Sequence, residues 1–155
     1  IHGGGQQNGL RSGTLNVPGI IGMSAAMRFA AAEMALDCSR IGGFRDLLET
    51  ELLRISDTFI NGDVRSRLCN TTNICFRGIS SEQLIINLNT ISVSSGSACS
   101  ATVSTPSHVL TAMGLSDADG LSALRFSLGR FTREDEIAKT VEAIKQEVGK
   151  LRTID

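Results

Sequence analysis

The sequence predicts an α/β fold class: an α+β small domain whose small sheet is covered by helices. Three observations predict it. Apolar residues fall three to four apart through the first third of the chain, short strand-like runs follow, and a strict alternation near the end leads into an amphipathic segment. The order is helices first, then strand, helix and strand, with helices after the strands.

The opening stretch from Gly3 to Asn16 is rich in Gly, Gln, Asn, Ser and Thr. It reads as a loop needing special backbone angles. Pro18 suits a first helical turn. Ile20, Met23, Met27, Ala30 and Met34 then form one helical face running to about Ser39. Gly42-Gly43 is expected to break the helix. Phe44, Leu47, Leu48, Leu52 and Ile55 supply a second helical stripe. Asn61-Gly62-Asp63 signals a turn, and Asn73 to Arg77 is β-like. Ser80 is expected to cap a helix, with Gln83 at the capping-box position and Leu84, Ile85 and Leu88 following. Ile91-Ser92-Val93 is a further strand candidate. Thr105-Pro106 opens a helix carrying Val109, Leu110 and Met113, closed by Gly114. From Ala123 to Leu128, Leu124, Phe126 and Leu128 share one face and Arg125 and Ser127 the other. Thr132 is expected to cap the last helix, and Glu134, Asp135 and Glu136 suit its positive end. Its buried stripe is Ile137, Val141, Ile144, Val148 and Leu151.

The 155 residues are 41% hydrophobic, enough for one or two modest cores. A formal net charge of −1 and no basic patch argue against a nucleic-acid partner. No apolar run approaches the ~18 residues needed to span a bilayer, so no membrane partner is expected. The start, Ile1-His2-Gly3-Gly4-Gly5, has neither initiator Met nor an apolar leader, and a piece of a longer chain is expected. Four cysteines stand at irregular spacing, Cys38, Cys69, Cys75 and Cys99, with no C-x-x-C pair. No metal site is predicted from them. Cys38, Cys69 and Cys75 read as reduced thiols that fill small spaces.

Cys99 differs from the other three. It sits in Ser94-Ser95-Gly96-Ser97-Ala98-Cys99-Ser100-Ala101, eight small residues that cannot build a core. A thiol there would be open to a substrate, although no Lys, Arg or His lies within five positions to favour its thiolate. Taken alone, Cys99 reads more readily as an ordinary loop cysteine. Arg125 has the planar fork that pairs with a carboxylate, so it could hold an amino acid. Its ordinary alternative is a solvated arginine on an edge strand. The glycines near the start, with Arg11 to Thr14, could offer N–H groups and a hydroxyl to a phosphate. His2 and His108 read as surface or packing residues.

Three stretches together carry a family resemblance. Ile1 to Gln6 with Arg11-Ser12-Gly13-Thr14-Leu15-Asn16 resembles a cofactor-domain segment of cysteine desulfurases of the IscS/NifS type. These are class-V aminotransferase-like enzymes that depend on pyridoxal 5'-phosphate. Ser94 to Ser100 resembles their active-site cysteine loop, and Leu124 to Thr132 is similar to their late substrate-binding strand. The spacing between Cys99 and Arg125 also fits that family.

The resemblance implies the C-terminal portion of a homodimeric, fold-type I transferase, with residues 1–18 ending the large cofactor domain and 19–155 forming a linking helix and small domain. It implies a full-length enzyme that converts L-cysteine to L-alanine and leaves a persulfide on Cys99. The sulfur would pass to an acceptor such as an iron–sulfur scaffold protein in the cytoplasm. By the same resemblance Arg125 binds the substrate carboxylate, and Thr14 binds the cofactor phosphate from the neighbouring subunit. The lysine that holds the cofactor would lie before Ile1, so the piece alone is expected to be inactive. The family usually has an acidic residue where Gln7 stands and often Arg where Asn8 stands. Two alternatives stand beside this reading. One is a non-catalytic small domain that carries a persulfide or dimerises, and the other is a selenocysteine lyase-like relative.

Overall fold

The computed structural model describes residues 1–95 and 105–153. Among them the order is α1 (Val17–Leu52), β1 (Thr58–Ile60), β2 (Thr71–Phe76), α2 (Ser81–Asn87), β3 (Ser94–Ser95), α3 (His108–Ala112), α4 (Asp117–Leu121), β4 (Ala123–Ser127) and α5 (Glu134–Thr153). The chain divides into two compact units, Ile1–Leu36 and Asp37–Asp155, with α1 passing from one to the other.

The first unit opens with the expected loop. Gln7, Asn8, Gly9 and Gly13 all have positive φ. Side-chain bonding stitches the loop together, as Gly13 N–H donates to Gln6 Oε1 at 3.2 Å. Gly3 is required by space as well as by angle, since a Cβ there would lie 2.9 Å from Ser12 Cβ.

α1 corrects one expectation. Gly42-Gly43 does not break it, and one helix runs through both glycines to Leu52. Each glycine costs a helix about 1 kcal/mol relative to alanine. Burial of Ile41, Leu48 and Leu52 in one core offsets that cost. The stripe Ile20, Met23, Met27 and Met34 is not buried but exposed. Ile21, Phe29 and Leu36 are exposed as well, so the first half of α1 is apolar on more than one side.

By length and composition α1 is also apolar enough to cross a bilayer, so the expectation that no run reaches that size fails. The difference lies in averaging: a window tolerates Arg28 and Glu33, whereas an uninterrupted run does not. One such helix is weak ground for a membrane span, and from Ile41 onward α1 packs into a core.

In the second unit four strands form an antiparallel sheet in the order β1-β2-β4-β3. Alternation assigns the faces. Ile74, Phe76, Leu124 and Phe126 are buried on one face under Ile41, Leu48 and Leu52 of α1, Leu84 of α2, and Ile137, Val141, Ile144 and Val148 of α5. Arg125 and Ser127 stay exposed on the other, as their alternation predicts.

Several boundaries move. The strand predicted at Ile91–Val93 is instead β3, Ser94–Ser95, because Ser94 and Ser95 are the residues that pair with Arg125 and Leu124. The β-like run at Asn73–Arg77 becomes β2. The third helix begins at His108 behind Ser107, not at Thr105-Pro106. Ser80 caps α2 as expected, accepting from Gln83 N–H at 3.5 Å. Thr132 does not cap α5: its hydroxyl accepts from Gly129 N–H, and Glu136 Oε2 accepts from Arg133 N–H to begin the helix. β1 and α4 are elements that sequence reading missed. α4 carries its own signature, with Ser116 accepting from Asp119 N–H at 3.1 Å.

One ion pair ties α1 to the segment before β2. Arg67 grips buried Glu49 with both terminal nitrogens, Nη2 lying 2.9 Å from Oε2. Removing Glu49 leaves the half-buried Arg67 with only the longer contact to Asp46 at 3.9 Å. Glu49→Ala is therefore expected to destabilise the protein by about 3 kcal/mol. Urea unfolding checks this, and an unchanged midpoint would contradict it.

Candidate active site

Arg125 lies in the middle of the sheet. β4 has β2 on one side and β3 on the other, so Arg125 is not on an edge strand. Its register partners are Asn73 on β2 and Ser94 on β3. The guanidinium is exposed and has no carboxylate among the described residues. Arg45, Arg67, Arg77 and Arg133 differ, because each pairs with an acidic side chain. An unpaired arginine held on a central strand is a cation free to take an anionic ligand.

A cleft of about 320 Å3 opens beside it, bounded by Asn61, Thr71, Asn73, Met113 and Arg125. Arg67 also reaches this cleft, but Glu49 already neutralises it. Asn73 is the residue that sequence reading overlooked. Its Oδ1 accepts from Asn61 Nδ2 at 2.6 Å. That fixes the Asn73 amide directly across from Arg125, where side chains of an antiparallel pair stand about 5 Å apart. A signal was present: Asn73 is a polar residue inside a β-like run. A second hollow of about 610 Å3 lies between Ile91, Val93, Phe126 and α5. Its cations, Arg133 and Lys139, both pair with Asp135, so it offers no comparable anion site.

The cysteines separate by surroundings. Cys75 is fully buried, and burial pushes its thiol up to about 11. It is therefore a protonated packing group at neutral pH. Cys38 and Cys69 are half-buried and face each other. A hydrogen bond from Cys69 is the first cause that raises the Cys38 thiol, with burial second. Cys99 lies outside the described residues, as do all residues from Gly96 to Ser104. The described chain before it ends in β3, on the strand that borders Arg125.

Thr14 belongs to the first unit and Arg125 to the second. Thr14 is exposed, with its carbonyl accepting from Arg11 Nη1 at 3.4 Å. Its hydroxyl has no partner among the described residues. His108 is exposed at the start of α3.

A central antiparallel sheet, a helical cover and a strand arginine with no carboxylate partner among the described residues make up the small domain that carries the site. The Aminotransferase class-V family model matches residues 3–140, and the chain belongs to that family. Among curated proteins it is 46% identical over 152 residues to cysteine desulfurase IscS of Shewanella putrefaciens, covering 98% of this chain and 38% of that relative. Among solved structures it is similar to a NifS-like protein, with a TM-score of 0.82 and 32% identity over 96% of this chain and 38% of the other. A NifS-like protein from Rickettsia africae gives the same TM-score of 0.82 at 30% identity, over 97% of this chain and 39% of that one. The chain thus spans 38% of the length of the curated relatives it matches.

Proposed function

We propose that this chain is the C-terminal portion of a cysteine desulfurase. In the intact protein, L-cysteine gives L-alanine, and its sulfur remains on Cys99 as a persulfide. The observation that carries this reading is the register Ser94–Arg125. It ties the strand before the Cys99 loop to the strand that holds a free guanidinium. Cys99 follows Ser95 by four positions in the sequence, and four residues reach at most ~14 Å. A thiol and a carboxylate anchor are thereby tethered to neighbouring strands.

Each residue has a stated task. Arg125 binds the substrate carboxylate, and the Asn73 amide donates a second hydrogen bond to it. The Cys99 thiolate attacks the substrate sulfur as the carbon–sulfur bond breaks, and a proton delivered to the carbon completes alanine. The atoms of cysteine and one thiol thus become alanine and one persulfide. Bound pyridoxal phosphate supplies the electron sink for that cleavage. The exposed, unengaged Thr14 hydroxyl suits an oxygen of its phosphate, within a homodimer. We assign residues 1–18 to the end of the cofactor domain and 19–155 to the linking helix and small domain. The apolar first half of α1 is covered by the remaining polypeptide rather than by lipid, in a cytoplasmic enzyme. The acceptor is a sulfur-carrying or iron–sulfur scaffold protein.

The test is a stoichiometric assay of alanine from L-cysteine by the intact protein, run beside the 155-residue chain and beside L-selenocysteine. The expected result is alanine from the intact protein only, with cysteine as the better substrate. No alanine from cysteine would overturn the reading, and a strong preference for selenocysteine would favour the lyase. Asn73→Ala is expected to lower kcat/KM roughly 10-fold, the loss of about one charge-assisted hydrogen bond. Steady-state kinetics with L-cysteine checks it.

A further inference from the structure

Cys38 lies on α1 and Cys69 just before β2, thirty-one positions apart, yet Cys69 Sγ donates to Cys38 Sγ at 2.8 Å. Two sulfurs that merely rest in contact sit farther apart than this. A disulfide bond is about 2.05 Å long, so closure needs a movement of less than ~1 Å. Neither thiol is sealed in the core, since both are half-buried.

Other bonds hold the two segments together without the sulfurs. Arg45 Nη1, on α1, donates to the Leu68 and Cys69 carbonyls at 3.2 and 3.1 Å. Arg67 pairs with Glu49 of α1. On the far side, Leu128 N–H donates to the Asn70 carbonyl at 2.8 Å, fixing the chain as it enters β2. The thiols are therefore kept side by side by the fold, which favours an intramolecular bond over separate adducts. Cys75 provides the contrast: it is fully buried, and its nearest bonding partner is the Asp119 carbonyl at 3.4 Å.

We propose that Cys38 and Cys69 form a redox-responsive pair that closes to a disulfide and staples α1 to the start of β2. The oxidant is a small-molecule disulfide of the glutathione class. One cysteine thiolate attacks the oxidant's S–S bond and releases one thiol, leaving a mixed disulfide on the protein. The second cysteine attacks that mixed disulfide and releases the other thiol. Two electrons pass from the protein sulfurs to the oxidant, and the two cysteine protons leave on the two released thiols. The pair is separate from Cys99, so its closure does not consume the thiol assigned to sulfur transfer.

The experiment equilibrates the intact protein in graded ratios of reduced to oxidised glutathione. It then denatures the protein in acid, alkylates free thiols and maps the peptides by mass. A linked Cys38–Cys69 peptide is expected, appearing as the ratio becomes oxidising and disappearing on reduction. Cys38→Ser and Cys69→Ser should each remove it and instead collect a glutathione adduct on the remaining cysteine. The linked form should also unfold at higher temperature than the reduced form, because the crosslink restricts the unfolded chain. Separate glutathione adducts or alkylated thiols in the wild-type protein at every ratio, with no linked peptide, would overturn the proposal. That readout needs no variant to fold.

Discussion

Arg125→Ala in the intact protein lowers kcat/KM for L-cysteine by roughly 30-fold to several-thousand-fold, the equivalent of about 2–5 kcal/mol for a lost charge-paired carboxylate contact. The lower end applies if water reaches the bound carboxylate, and the upper end if the cleft is dry. The fold should not suffer. Arg125 points off the core face, and its neighbours Leu124 and Phe126 carry the packing. Such a surface change shifts stability by no more than ~0.5 kcal/mol. A kinetic loss with an unchanged melting temperature therefore separates carboxylate binding from a structural role. Arg125→Lys should recover little, because an ammonium lacks the two-pronged geometry. Unchanged kinetics would remove the arginine from the substrate site.

Cys99→Ser gives the second large effect. Alanine formation from L-cysteine should fall by at least ~1000-fold, since a hydroxyl is far harder to ionise than a thiol and cannot accept sulfur as a persulfide. The absorbance of the bound cofactor should stay close to that of the wild-type protein, because Cys99 is assigned no part in holding it. The other cysteines should not substitute. Cys75 is buried and protonated, and Cys38 and Cys69 are engaged with each other. Wild-type alanine production by the serine variant would mean that another group performs the attack.

Local pattern made the C-terminal end of the second unit legible. The alternation at 123–128 placed Leu124, Phe126 and Arg125 on their correct faces, and the stripe from Ile137 to Val148 is buried as read. The errors have common physical causes. Propensity marks Gly42-Gly43 as a helix end, but buried neighbours on either side of it override a cost of that size. A helical stripe says which side is apolar and not what covers it: Met23 and Met27 share the face read from the sequence and are exposed. β1 and β3 are too short, at three and two residues, to carry a periodic signal of their own. They exist because β2 and β4 offer them a ladder.

The site was half legible in the same way. Arg125 stood out by residue type and alternation, but its central position needed the strand order. Asn73 stands out only as a polar residue inside a β-like run, and nothing in a sequence places it across from a residue fifty-two positions later. The meeting of Cys38 with Cys69 is likewise a product of tertiary packing, invisible in their spacing.

The most direct measurement is where sulfur rests after one turnover. The intact protein is given one equivalent of L-cysteine, trapped with a thiol-reactive alkylating agent and digested, and the mass of every cysteine peptide is read. An extra sulfur atom on the peptide that contains Cys99, matched by one alanine, is the outcome expected of the proposed sulfur acceptor. Alanine released with no added sulfur at Cys99, or with the sulfur on another cysteine, would contradict it.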